Sequence, residues 1–88
     1  MHFVYILKSE KRSRFYIGCT ENLEKRIAQH NSGFTKSTKP YRPWVLIYFE
    51  KFDSKLEAMK REWYLKHPPG YLEKRSIIEQ YGSAGGFA

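Results

Sequence analysis

The sequence predicts a mixed α/β domain of the α+β kind, ordered strand, strand, helix, strand, helix, helix. Three observations carry this. Two runs of aromatic and β-branched residues, Phe3–Leu7 and Arg14–Thr20, are separated by a polar segment of hairpin length. A third apolar run, Trp44–Phe52, stands well apart from them. The stretches between and after these runs have helical apolar spacing and end at Gly33, at Pro68-Pro69 and at Gly82. A chain of 88 residues is one domain. Residues 1–82 are expected to form it. Ser83-Ala84-Gly85-Gly86-Phe87-Ala88 has no periodicity and is expected to be a flexible tail.

Phe3–Leu7 is apolar on both faces, which predicts helices on both sides of the sheet, or at least a mostly covered strand. Lys8–Arg14 is the loop, and Arg14–Thr20 returns antiparallel to the first strand. A turn centred near Lys11 puts Tyr5 opposite Tyr16, with both side chains on one face. Cross-strand packing and chemistry are both open readings of that pair.

The first helix is expected from Glu21 to Asn31, with Thr20 as its cap. Leu23 and Ile27 form its apolar stripe, and Arg26 and His30 lie along the stripe's edge. Phe34–Pro43 has neither period. Its cations, hydroxyls and aromatics suit phosphate contact and base stacking, or a plain solvated connection.

Trp44–Phe52 is the most apolar stretch, so a central or well-covered strand is expected. Ser54 with Glu57 reads as a capping box, opening a helix that runs to about His67. Leu56, Met59 and Trp63 define its buried stripe, with Ala58 and Leu65 to one side. Glu57, Lys60, Arg61 and Tyr64 take the outer face. Glu62 falls within the inward arc, where a carboxylate needs a cationic partner or a metal. Arg26 and Lys66 are the partners in question. The last helix is expected from Gly70 or Tyr71 to Tyr81, with Leu72, Ile77, Ile78 and Tyr81 as apolar contacts.

Sixteen Lys and Arg against nine Asp and Glu leave a charge of +7. A field of that sign fits an anionic partner, with nucleic acid ahead of a membrane surface, or solubility alone. Cys19 is the single cysteine, which excludes an internal disulfide and a cysteine metal cluster. It reads as a small core hydrophobe. No signal peptide is visible, and no apolar run approaches the roughly 20 residues of a membrane span, so a cytoplasmic protein is expected.

Val4-Tyr5, then Tyr16-Ile17-Gly18, then Arg26 and His30, then Glu62 at the end of Ala58-Met59-Lys60-Arg61-Glu62, resemble a GIY-YIG nuclease domain. A lone Tyr-Ile-Gly would be a weak signal; the ordered set is specific. The resemblance spans about Phe3 to Lys66 and is to the small stand-alone bacterial members. It implies a three-stranded antiparallel sheet flanked by helices. It also implies hydrolysis of DNA phosphodiester bonds with one divalent cation, Mg²⁺ or Mn²⁺, in repair or recombination. Residue by residue, Glu62 would hold the metal and Arg26 would contact the scissile phosphate. Tyr5 and Tyr16 would lie beside the attacking water. His30 and Lys66 would assist in positioning or proton transfer.

The chemistry of these groups agrees with such roles. A guanidinium offers bidentate donors to a phosphate and stays charged. Mg²⁺ keeps several waters, so one glutamate can suffice. A tyrosine is a poor base unless cations lower its pKa.

Two departures stand out. Phe3 occupies the first motif's glycine position, and no asparagine follows Glu62, where many nucleases of the family carry one. With no second DNA-binding domain in the sequence, substrate grip falls to Lys11, Arg12, Arg14, Lys36, Lys39 and Arg42, or to a protein partner that delivers the substrate. DNA is the expected partner, and RNA fits the same chemistry. The alternative function is a nucleic-acid-binding module that keeps the fold and performs little or no chemistry.

Overall fold

A computed structural model describes residues 1–82; the expected tail, 83–88, lies outside the described residues. The strands are β1 (His2–Ser9), β2 (Phe15–Thr20) and β3 (Trp44–Phe52). The helices are α1 (Leu23–Ser32), α2 (Lys55–Lys66) and α3 (Tyr71–Tyr81), with a 3₁₀ turn at Lys39–Tyr41 inside the aperiodic segment. The sheet is antiparallel throughout, in the order β2-β1-β3.

β1 is therefore the central strand, and Val4, Tyr5, Ile6 and Leu7 are completely buried. Its two apolar faces meet two layers, as the sequence predicts. Tyr5, Leu7 and Trp44 pack with Tyr16 and with Leu23 and Ile27 of α1. Val4, Ile6, Ile17 and Ile47 pack with Ala58 and Leu65 of α2 and Ile77 of α3.

A central or well-covered β3 is expected from its apolar content; it is an edge strand, buried at Trp44 and Ile47 and open towards its end. Its second half carries Glu50 and Lys51, and Phe49 is 43% exposed, as one open side requires. Between Ile6 and Leu7 the register with β3 shifts, so that Ile6 faces Tyr48 and Leu7 faces Leu46. Ile47 is left as the extra residue and turns into the core.

In the β1–β2 pair Tyr5 lies opposite Gly18, and Tyr16 lies opposite Leu7. The direct Tyr5–Tyr16 pairing is thus off by two residues. A two-residue offset preserves the face, so both rings remain on the α1 side.

Asn22, not Thr20, caps α1: its Oδ1 accepts from the Lys25 N–H at 3.1 Å. Thr20 is still paired with Phe3 in the sheet, which delays the helix. Gly33 closes α1 at φ 86°, a left-handed conformation that suits glycine. In α1 the buried residue is His30, while Leu23 and Ile27 are half-buried.

Ser54 caps α2 through the Glu57 N–H at 3.1 Å, as the sequence predicts. The buried line of α2 is different from the expected one. Ala58 and Leu65 face the sheet, whereas Leu56, Met59 and Trp63 are 61%, 49% and 60% exposed. Arg61, assigned to the outer face, lies beside that line and pairs with Glu50 of β3 and Glu73 of α3. Its double pairing rotates α2 so that Arg61 and Glu62 flank the Ala58–Leu65 line. In α3, Ile77 is buried and Ile78 and Tyr81 pack on the core, but Leu72 is 74% exposed.

Candidate active site

The site assembles at the edge strand β2, where the two helical layers meet. Tyr5 on β1 reaches it because Gly18, directly opposite, has no side chain. The Tyr5 hydroxyl lies 3.0 Å from His30 Nε2 and accepts from Arg26 Nε at 3.4 Å. Arg26 and His30, one turn apart on α1, thus share one buried phenol. Arg26 Nη1 also donates to Gln29 Oε1 at 3.1 Å. Arg26 lines a concavity of about 330 Å³ with Asn22, Lys25 and Gln29.

The Tyr16 ring lies 4.7 Å from the His30 ring and 6.2 Å from the Tyr5 ring. From the opposite layer, Lys66 brings its ammonium 5.8 Å from the Tyr16 ring centre. Lys66 Nζ donates to Glu62 Oε2 at 2.7 Å, one helical turn away. Of the two cations weighed for Glu62, the partner is Lys66. The structure therefore links Glu62, Lys66, Tyr16, His30, Tyr5 and Arg26 in one continuous cluster.

Burial sets the proton affinities here. Desolvation pushes the Tyr5 hydroxyl up to about 12, against the pull of the Arg26 hydrogen bond. Desolvation, helped by the Arg26 charge, lowers His30 and keeps the imidazole neutral at neutral pH. The bond to Tyr5 raises Arg26 further. Desolvation likewise raises Cys19, which is half-buried against the core.

The basic residues are dispersed. Lys11, Lys39 and Arg42 surround a concavity of about 530 Å³ that also touches Asn31 of α1. Lys11 and Arg12 border a second concavity of about 410 Å³ at the β1–β2 turn. Arg14 stacks over the Tyr41 ring at 4.9 Å, and Lys36 is exposed on the α1–β3 loop.

Sequence reasoning missed Thr38 and Asn31. Thr38 is buried, with its hydroxyl 2.9 Å from His30 Nδ1. Asn31 fastens Trp44 through both backbone groups, at 2.6 and 3.0 Å. Thr38 lies in the aperiodic loop, whereas Asn31 continues the Leu23–Ile27 spacing and could have been found there.

The GIY-YIG catalytic domain model matches residues 1–70. The chain belongs to the GIY-YIG family. It is 53% identical over 66 residues to the UPF0213 protein SH2523 of Staphylococcus haemolyticus, covering 74% of this chain and 79% of that one. It is 51% identical over 67 residues to the UPF0213 protein CPE1444 of Clostridium perfringens, covering 75% and 71%. The solution NMR structure of the UPF0213 protein BH0048 from Bacillus halodurans has the same fold, with a TM-score of 0.55 and 33% identity over 94% of this chain and 87% of that one.

The GIY-YIG family is of the nuclease type, with nucleic acid as substrate, and its nucleases generally use a divalent metal. Among the described residues no helix is long and apolar enough to cross a membrane, and no three His, Cys, Asp or Glu group as metal ligands. The carboxylate in the cluster is Glu62. Glu62 Oε2 is held by Lys66, while its Oε1 has no partner among the described residues. A hard cation that retains waters and takes phosphate oxygens can be held by such a single carboxylate.

Proposed function

We propose that this chain is a divalent-metal-dependent endonuclease that hydrolyses DNA phosphodiester bonds, acting in repair or recombination. The convergence of Arg26, Tyr5, His30, Tyr16 and the Lys66–Glu62 pair at the β2 edge supports this most directly. Binding alone does not call for a carboxylate beside a phosphate site.

Glu62 would hold the cation, Mg²⁺ or Mn²⁺. When bound, the cation would polarise the phosphate and stabilise the leaving oxygen. Arg26 Nε donates to Tyr5 and Nη1 to Gln29, and its remaining N–H donors would meet the scissile phosphate. Tyr5 keeps its proton, because its hydroxyl is pushed up to about 12, and serves to position Arg26. Tyr16 is half-buried rather than sealed, so its hydroxyl is the phenol beside the attacking water. Lys66 brings its ammonium beside the Tyr16 ring, 5.8 Å from its centre. His30 fixes Tyr5 from behind. Lys11, Arg12, Arg14, Lys36, Lys39 and Arg42 supply contacts to the DNA backbone.

One observation favours the alternative of a binding module with little chemistry. Glu62 is already neutralised by Lys66, and no second carboxylate joins it among the described residues.

Labelled single-stranded, duplex, flap, splayed-arm and four-way-junction DNAs, with and without Mg²⁺ or Mn²⁺, separate the two readings. Metal-dependent cutting that Glu62→Ala abolishes, with binding retained, is the expected result. Salt-sensitive binding of every DNA with no cutting would establish the binding module instead.

A further inference from the structure

Thr38 is the last side chain in a run of four hydrogen bonds from Arg26 to the Thr35 carbonyl. The Arg26 guanidinium can only donate, so the Tyr5 oxygen accepts from Nε at 3.4 Å. Tyr5 then faces His30 Nε2 at 3.0 Å, His30 Nδ1 faces Thr38 Oγ1 at 2.9 Å, and Thr38 Oγ1 faces the Thr35 carbonyl at 3.3 Å. Tyr5, His30 and Thr38 are 0%, 0% and 2% exposed, so water does not offer alternative partners.

Neutral imidazole carries one proton, and its two placements differ in cost. With the proton on Nδ1, His30 donates to Thr38, Thr38 donates to the Thr35 carbonyl, and Tyr5 donates to Nε2. Every proton in the chain then has an acceptor. With the proton on Nε2, the Tyr5 oxygen receives two donors. Its own proton is left buried with no acceptor among the described residues, and the Thr38–Thr35 bond is broken. An unpaired buried donor is the costlier arrangement.

We infer that Thr38 is a positioning residue: it locks neutral His30 as the Nδ1–H tautomer, and through His30 it fixes the Tyr5 hydroxyl and the Arg26 guanidinium. The imidazole ring is held at both nitrogens, so the Tyr5 oxygen presents its lone pair to Arg26 and not its proton. Thr38 is also held through its backbone. Its carbonyl accepts from Trp44 Nε1 at 2.9 Å, and its N–H donates to the Thr35 carbonyl at 3.2 Å. The backbone at Thr38 is thus fixed before its hydroxyl is used. The tautomer stands whether or not the chain cuts DNA, whereas the effect on rate rests on the nuclease reading above.

The test uses the full chain labelled with ¹⁵N at histidine, with long-range ¹H–¹⁵N spectra of the ring nitrogens at neutral pH. In the wild type, His30 should show a protonated Nδ1 and an unprotonated Nε2. A wild-type spectrum with Nε2 protonated overturns the inference without any variant. Thr38→Val, which keeps the shape and removes the hydroxyl, should erase this preference, and Thr38→Ser should restore it. On a DNA that the wild type cuts, Thr38→Val should lower kcat by roughly 10- to 100-fold with DNA affinity unchanged, and Thr38→Ser should recover most of the loss. Unaltered kcat in a folded Thr38→Val chain overturns the positioning role. If the wild type cuts nothing, the nuclease reading falls, while the ring-nitrogen spectra still decide the tautomer.

Discussion

A β-carbon on Gly18 would stand 2.6 Å from Tyr5 Cζ and 2.9 Å from Tyr16 Cε2, so the two tyrosines of the site close over one bare stretch of backbone. The glycine is needed for space, since the Tyr5 phenol crosses it to reach Arg26 and His30. Gly18→Ala should therefore push Tyr5 off both partners. Cleavage should fall by about 100-fold, as a misplacement of this kind costs, in a chain whose circular dichroism still reports the sheet. The tyrosines themselves should separate under mutation. Tyr5→Phe leaves His30 Nε2 buried and unpaired and should cost about 1–3 kcal/mol in denaturant unfolding. Tyr16→Phe removes a hydroxyl from a half-buried ring and should change stability by less than about 0.5 kcal/mol. Under the proposed nuclease reading its rate should nevertheless drop by about 10²–10⁴, the range for loss of a group that aids proton transfer at the attacking water. Greater destabilisation by Tyr16→Phe than by Tyr5→Phe would reverse the roles assigned here. The motif made Tyr5, Tyr16, Arg26 and His30 legible as neighbours. Thr38 was not legible, because a threonine in a basic loop looks the same whether it faces solvent or a buried imidazole.

At the scale of elements, α2 is the instructive misreading. Its most hydrophobic residues, Leu56, Met59 and Trp63, form an apolar stripe with the right spacing, yet the helix is docked by Ala58 and Leu65. The deciding group is Arg61, whose guanidinium grips Glu50 at 2.8 and 2.9 Å and also binds Glu73. Partners supplied by β3 and α3 are not visible in the α2 sequence, so no wheel could place Arg61 inward. That orientation in turn puts Glu62 and Lys66 at the β2 edge. Arg61→Ala should cost about 2 kcal/mol, because it strands the half-buried Glu50. Burial alone would raise Glu50, but the Arg61 and Tyr48 hydrogen bonds outweigh it and hold the carboxyl below its ordinary 4.5. A depressed folded pKa stabilises fully above the unfolded value. The contribution is lost as pH falls from 4.5 through the lower folded pKa. Melting temperatures across that acid window should decline for the wild type and decline less for Arg61→Ala. Parallel curves would mean that the pair adds nothing. The capping of α2 by Ser54 and the stops at Gly33 and Gly82 were readable, since they depend on neighbours in sequence alone.

For the whole molecule, the strand and helix order, the two covered faces of the first strand and the two layers were legible from apolar runs and their punctuation. Which strand lies at the centre was not, because β1 and β3 are both strongly apolar and pairing is a property of the assembled sheet. Charge behaves similarly: the sum of +7 is fixed by composition, but the structure decides which cations are free to meet a phosphate. Lys8 is not, since its ammonium donates to the Gly82 carbonyl, and Arg61 is enclosed by two glutamates. Lys11, Lys39 and Arg42 line an open concavity, and Arg42 Nε is steadied by the Lys39 carbonyl at 2.9 Å. Removing one cation from a phosphate should reduce the slope of log K against log salt by about 0.9 for duplex DNA. Replacing Lys11, Lys39 and Arg42 together by alanine should thus flatten the slope by about 3, to a similar extent for unrelated sequences. Lys8→Met removes the same unit of charge per residue from the total but should leave the slope nearly unchanged, because that ammonium is already engaged at the end of α3. Anisotropy titrations of one labelled duplex over a salt series measure both. If the two substitutions flattened the slope in proportion to the charge removed, binding would follow net charge alone, and the concavity beside α1 would have no special part in holding DNA.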